Sequence, residues 1–91
     1  MLKIGELSKY NKIFTKTLRH YDNIGLLQPQ VIDPQTGYRF YSNNQAEELS
    51  KILILKEAGF SLNKIKIVMT NGLSVQELIH LLKNKQEEIR K

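Results

Sequence analysis

Two short helical periods a few residues apart, a hairpin punctuated by proline and glycine directly after them, and three further helical periods predict a mostly α fold. The order corresponds to a winged helix-turn-helix (helix-turn-helix, β-hairpin wing, helix pair) followed by the start of a long helix. Ninety-one residues suffice for one small domain with one modest core, so a second domain or a large ligand cavity is not expected within them.

Each element has its own signal. Residues 4–10 (IGELSKY) read as a short helix with Ile4 and Leu7 on one face. Residues 15–24 (TKTLRHYDNI) read as a second, with Leu18, Tyr21 and Ile24 in line and Gly25 as its stop. Only Asn11–Phe14 joins them, which is the spacing of a helix-turn-helix. After Gly25 the helical period ends. Pro29 and Pro34 exclude helix, Val31-Ile32 and Tyr38–Tyr41 are strand-like, and Asp33-Pro34-Gln35-Thr36-Gly37 is a turn in which proline presets φ and glycine accepts positive φ. Ser42 then opens a helix to about Ala58, with Gln45 completing a capping box, Leu49, Ile52, Leu53 and Leu55 apolar, and Gly59 as terminator. Ser61 starts another, with Phe60 and Ile65 as a hydrophobic staple, and Gly72 closes it. Ser74 begins the last, with Glu77 in a second capping box and Leu73/Leu78 in a second staple. Leu78, Ile79, Leu82 and Ile89 make a stripe on a segment otherwise almost wholly charged after Lys83, the pattern of a coiled-coil dimerisation seam. That helix carries no stop signal, which predicts a longer parent protein. The chain thus divides into a winged-helix domain over 1–71 and the start of a dimerisation helix over 72–91.

Composition narrows the function classes. Fourteen basic against nine acidic side chains give a net charge of +5, which favours a polyanionic partner, nucleic acid first and an anionic membrane surface second. With no cysteine, there is neither a disulfide framework nor a thiolate metal site in these residues. The opening residues contain no apolar signal segment and the longest apolar run is Ile52–Leu55, so a cytoplasmic protein without a membrane partner is expected. His20 and His80 stand on different helices, and no nucleophile–base pairing, glycine-rich phosphate loop or paired carboxylate appears. Neither an enzyme nor a cofactor or metal is expected.

A second helix lying in a major groove presents its N-terminal outward side chains to bases and phosphates. Here these are Thr15, Lys16, Arg19 and His20, with Lys16 and Arg19 on one face and Arg19 able to make a bidentate contact to guanine or phosphate. Tyr21 is counted with them, although it and Leu18 should turn partly inward. In the wing, strand alternation puts Arg39 and Tyr41 on one face and Tyr38 and Phe40 on the other. The first face is expected to offer a cation and a phenol to the phosphates. Lys64 and Lys66 flank Ile65 and form a candidate second phosphate patch.

The run IGELSKYNKIFTKTLRHYDNIGLLQPQVIDPQTGYRFYS resembles the opening of MerR-type transcription regulators, and AEELSKILILKEAGFSLNKIKIVM is similar to that family's next helix pair. The likeness covers about residues 2–70, in family order, and TLR-x-Y-D followed by GYR-x-Y at this spacing is its most specific part. It implies a homodimer held by an antiparallel coiled coil, the helix at 15–24 in a major groove, and Tyr38, Arg39 and Tyr41 on the DNA backbone. It further implies binding to double-stranded promoter DNA, an effector sensed by a C-terminal domain outside these residues, and DNA distortion that lets RNA polymerase use the promoter. Three positions depart from the pattern. Phe14 stands where the family usually has a capping serine or threonine, Lys12 where a turn glycine is common, and His20 where a tyrosine is usual. Metal-sensing members carry a cysteine near the start of the dimerisation helix, and Gly72–Leu82 has none; the IDPQTGYRFYS wording resembles instead the drug- and small-molecule-responsive branch. Two other classes compete: a stand-alone, excisionase-like architectural DNA binder, and a protein-interaction module whose basic face is incidental. Salt dependence of binding separates the last from the DNA readers.

Overall fold

The computed structural model describes residues 1–89, with side chains through Lys85. In chain order the elements are β1 (Leu2–Lys3), α1 (Ile4–Asn11), α2 (Thr15–Asn23), β2 (Val31–Ile32), β3 (Arg39–Tyr41), α3 (Asn43–Glu57), α4 (Leu62–Thr70) and α5 (Val75–Ile89). They are mostly helical, with one small antiparallel sheet, and fall into two compact units, Met1–Ser50 and Lys51–Lys91.

In the first unit α1 begins when the Lys3 N–H donates to Glu6 Oε1 (3.0 Å). It ends at Lys12, whose backbone is left-handed (φ 52°, ψ 45°). The Lys12 N–H donates to Lys9 O (3.4 Å) and the Ile13 N–H to Ser8 O (3.1 Å), the Schellman pattern that reverses a helix end. The Ser8 hydroxyl donates to Ile13 O and Asn11 Nδ2 to Leu7 O, so the turn is tied by side chains as well. A non-glycine residue thus accepts positive φ at the position where the family commonly has a turn glycine. α2 closes in the same way on Gly25 (φ 74°), with Gly25 N–H to Asp22 O and Leu26 N–H to Tyr21 O.

The wing turn is built on Asp33. Its Oδ1 accepts from the Gln35 N–H (2.8 Å) and its carbonyl from the Gly37 N–H (2.8 Å), while Gly37 takes φ 74°. Val31 pairs with Phe40 and Ile32 with Arg39. β1, which the sequence did not announce, pairs with the other edge of β3 (Leu2 with Tyr41, Lys3 with Phe40), giving the order β1-β3-β2. The capping box at α3 forms as expected: Gln45 N–H donates to Ser42 Oγ (3.1 Å) and Ser42 N–H to Gln45 Oε1 (3.0 Å). Leu7, Leu18, Tyr21, Leu26, Leu27, Tyr41 and Leu49 are the buried core of this unit. Emptying one of the leucine positions costs about 2–5 kcal/mol.

In the second unit Ile52, Leu55, Ile65, Leu73 and Leu78 are buried. Gly59 (φ 99°) ends α3, Ser61 Oγ accepts from Lys64 N–H (3.1 Å) at the start of α4, and Gly72 (φ 79°) follows α4. At α5 the Ser74 hydroxyl accepts from Glu77 N–H and donates to Glu77 Oε1, both at 3.1 Å. The carboxylate therefore binds the hydroxyl, where the reciprocal box would place it on the Ser74 amide. Lys51 Nζ donates to Leu73 O (2.7 Å), and Lys85 Nζ lies 5.3 Å from the Phe60 ring centroid.

The expected seam needs a correction at Leu78. Within this chain Leu78 is only 7% exposed, so it packs into the chain's own core rather than standing on an open seam. Ile79 is the outward one (46% exposed), Leu82 is half-buried, and the side chain of Ile89 lies outside the described residues. Among the described residues no helix is long and apolar enough to cross a membrane.

Candidate nucleic-acid interface

α2 sorts its side chains by period. Leu18 and Tyr21, three residues apart, are buried; Lys16, Arg19 and His20 are exposed, and Thr15 is half-buried. Lys16 and Arg19 therefore stand on an open face that the core of the same helix holds rigid. Tyr21 does not belong with them. It is 4% exposed, burial pushes its phenol pKa up, and its ring lies 6.4 Å from that of His20, so its part is to pack the helix down.

The start of α2 is unusual. Phe14 takes the extended backbone of an N-cap (φ −70°, ψ 143°) but supplies no side-chain hydrogen bond, and Thr15 does not take over the cap. The Thr17 N–H donates to Phe14 O (3.0 Å) instead, and the first turn of α2 lacks the side-chain acceptor that a serine or threonine would offer. Lys12 and Lys16, on either side of Phe14 in sequence, are both exposed.

In the wing, Arg39 and Tyr41 share a face, as strand alternation requires, but that face is the inner one. Tyr41 is fully buried, so the expectation that it reaches phosphate is corrected. Its hydroxyl has no hydrogen-bond partner among the described residues, and burial, reinforced by the Asp22 carboxylate, raises its pKa. The reason is the pairing of β3 with β1, which fixes the phase that sequence alternation leaves open. Arg39 is intermediate. Its Nε sits 3.3 Å from Asp22 Oδ2, an ion pair by distance though not a hydrogen bond by angle, and 28% of the side chain stays exposed. That contact fastens the wing to the end of α2. Tyr38, which the resemblance puts on the DNA backbone, is 56% exposed.

Sequence reasoning missed Lys3. β1 brings it beside the wing, where Lys3 Nζ lies 5.1 Å from the centre of the Tyr38 ring. Lys3, Ile4, Glu6, Lys9, Tyr38 and Arg39 line a surface cavity of about 490 Å³, three of them cations. A two-residue strand has no periodicity of its own, so no local signal could have revealed it. Lys64 and Lys66 are both exposed on α4, in the second unit.

Comparison with known proteins agrees with this architecture. Residues 2–72 match the family described as MerR HTH family regulatory protein. The transcriptional regulator BrlR of Pseudomonas aeruginosa is 41% identical over 92 residues, covering 99% of this chain and 34% of BrlR. The crystal structure of MtaN, the N-terminus of the Bacillus subtilis multidrug transporter activator, superposes with a TM-score of 0.83 at 31% identity, covering 99% of this chain and 82% of MtaN. EcmrR in its cryo-EM DNA complex (EcmrR-RPo) is similar with a TM-score of 0.75 at 34% identity, covering 98% of this chain and 33% of EcmrR. The chain spans about a third of the length of the curated relatives that it matches first. With its winged helix-turn-helix in place and a family match over most of its length, the chain belongs to the MerR family of helix-turn-helix, DNA-binding transcription regulators.

Proposed function

We propose that this chain reads promoter DNA sequence-specifically, with α2 in the major groove. The observation that carries the reading is the division of α2 into a buried side, Leu18 and Tyr21, and an open cationic side, Lys16, Arg19 and His20. Arg19 takes the base-reading role, Thr15, Lys16 and His20 add base-edge or phosphate contacts, and Tyr38 and Arg39 hold the backbone. Lys64 and Lys66 make a second set of phosphate contacts. The likeness to EcmrR in its DNA complex supports this assignment.

Residues 1–71 serve as the DNA-binding domain and 72–91 as the start of a dimerisation helix. Its seam uses Ile79, Leu82 and Ile89, with Leu78 assigned to the core of the chain. The dimer regulates transcription by distorting promoter DNA for RNA polymerase when a C-terminal domain senses an effector, in the manner of a drug- or small-molecule-responsive regulator. The test is a pair of substitutions. Arg19→Ala should cost roughly 1–3 kcal/mol on the preferred site and relax sequence preference there. Arg39→Ala should weaken binding to all sequences and flatten the salt slope by about one. Unchanged promoter binding by both variants would contradict the assignment.

A further inference from the structure

Phe14 occupies the position from which a side chain ordinarily caps a helix, and its ring caps nothing, leaving its carbonyl to accept from the Thr17 N–H (3.0 Å). The residue is 81% exposed, above the 74% of Tyr10 and the 69% of Met1. A single exposed apolar side chain is ordinary on a protein surface, so exposure alone decides nothing. What decides is the position: a hydroxyl here would satisfy a first-turn amide of α2, the phenyl ring satisfies none, and exposed Lys12 and Lys16 stand on either side of it in sequence. An open ring with an exposed lysine two residues to either side in sequence fits a partner that is anionic at its rim and apolar at its floor. The major groove is such a partner, since phosphates border it and thymine presents a C5-methyl group inside it.

We propose that Phe14 is a specificity-determining residue that packs on the C5-methyl group of thymine. The inference rests on the reading of α2 as the helix that enters the major groove, and it extends that reading to an apolar contact beside the polar ones. Replacing dT by dU removes the methyl group and leaves base pairing intact, so it isolates the contact.

The full chain is used to enrich its preferred duplex from a random-sequence pool, and that duplex is resynthesised with dU in place of dT, position by position. At the contacted position the parent should lose affinity by about fourfold, the fold-change carried by burying one methyl-sized group. Phe14→Ser should bind the dT and dU duplexes equally, and Phe14→Leu should keep part of the preference. Because serine restores a cap, Phe14→Ser should melt no lower than the parent, which keeps the comparison between folded proteins. A parent that enriches a duplex and binds it in a salt-sensitive way without preferring dT at any position overturns the proposal and leaves the DNA-reading function standing. A dT preference that survives in Phe14→Ser also overturns it, by assigning the methyl contact to another residue. Failure to enrich any duplex overturns the proposal and the DNA-reading function together.

Discussion

The chain makes the same helix-to-helix connection twice, once between α1 and α2 and once between α3 and α4. In each, a left-handed residue is followed by one apolar residue and then by the N-cap of a nine-residue helix: Lys12, Ile13 and Phe14 in the first, Gly59, Phe60 and Ser61 in the second. The reversing hydrogen bonds correspond one for one. Lys12 N–H to Lys9 O matches Gly59 N–H to Lys56 O, and Ile13 N–H to Ser8 O matches Phe60 N–H to Leu55 O. Even the cap backbones agree, at φ −70° and ψ 143° for Phe14 and φ −69° and ψ 155° for Ser61. What differs is the φ of the turn residue and the chemistry at the turn and the cap. The second connection follows the local rules, with glycine in the turn and a serine that accepts from the helix amide. The first breaks both rules, and it is the connection that leads into α2. Local rules tend to fail where a position serves a partner rather than the fold, and a cation and an open aromatic ring replace glycine and serine there. The backbone also explains why the first turn tolerates lysine. Its φ of 52° and ψ of 45° fall inside the small left-handed well open to L-residues, whereas the φ of 99° at Gly59 lies outside it.

Exchanging residues between the two connections tests this. The largest effect is expected for Gly59→Lys: an added Cβ would meet only Lys85 Cε at an ordinary 3.7 Å, so the loss of about 2 kcal/mol is assigned to φ rather than to crowding at the Cβ. If urea unfolding shows Gly59→Lys as stable as the parent, the backbone distinction between the turns is wrong. Next come the caps. Ser61→Ala should cost about 1 kcal/mol and Phe14→Ser should add about as much, seen as opposite shifts in urea midpoint at constant slope. A smaller gain, under about 1 kcal/mol, is expected for Lys12→Gly, because relief of the left-handed strain is offset by the extra freedom of glycine in the unfolded chain.

The smallest effect concerns the wing. The Gln35 amide, helped by Thr36, holds the Asp33 carboxyl below its ordinary pKa. A folded-state pKa below the unfolded one contributes stability above the unfolded value, and that contribution is lost as pH falls through the lowered one. Acidification through that window should release the Gln35 and Thr36 amides, read as faster local hydrogen exchange, while the helices keep their protection. Amides that exchange no faster at acid pH would remove Asp33 as the anchor of the turn.

The contrast also explains what was legible in the sequence. Capping serines, terminating glycines and the Asp33–Gly37 turn are local devices, and the ends of α2, α3 and α4 came out within a residue or two of where they were read. The phase of the wing was not local. That Arg39 and Tyr41 share a face followed from alternation, but which face is buried was set by β1, a strand that exists only through pairing with Phe40 and Tyr41. Lys3 was missed for the same reason, and Tyr41 was assigned outward. In α5, sequence could not choose between Leu78 and Ile79, because that choice depends on what the helix packs against.

The central claim is that α2 reads DNA. The direct measurement is fluorescence anisotropy of the promoter duplex upstream of the gene encoding the chain, beside a scrambled duplex, at two salt concentrations. The account predicts tighter binding to the promoter, with affinity falling as salt rises by a logarithmic slope of about −0.9 for each phosphate neutralised. Equal binding to both duplexes, or binding that salt leaves unchanged, would contradict it.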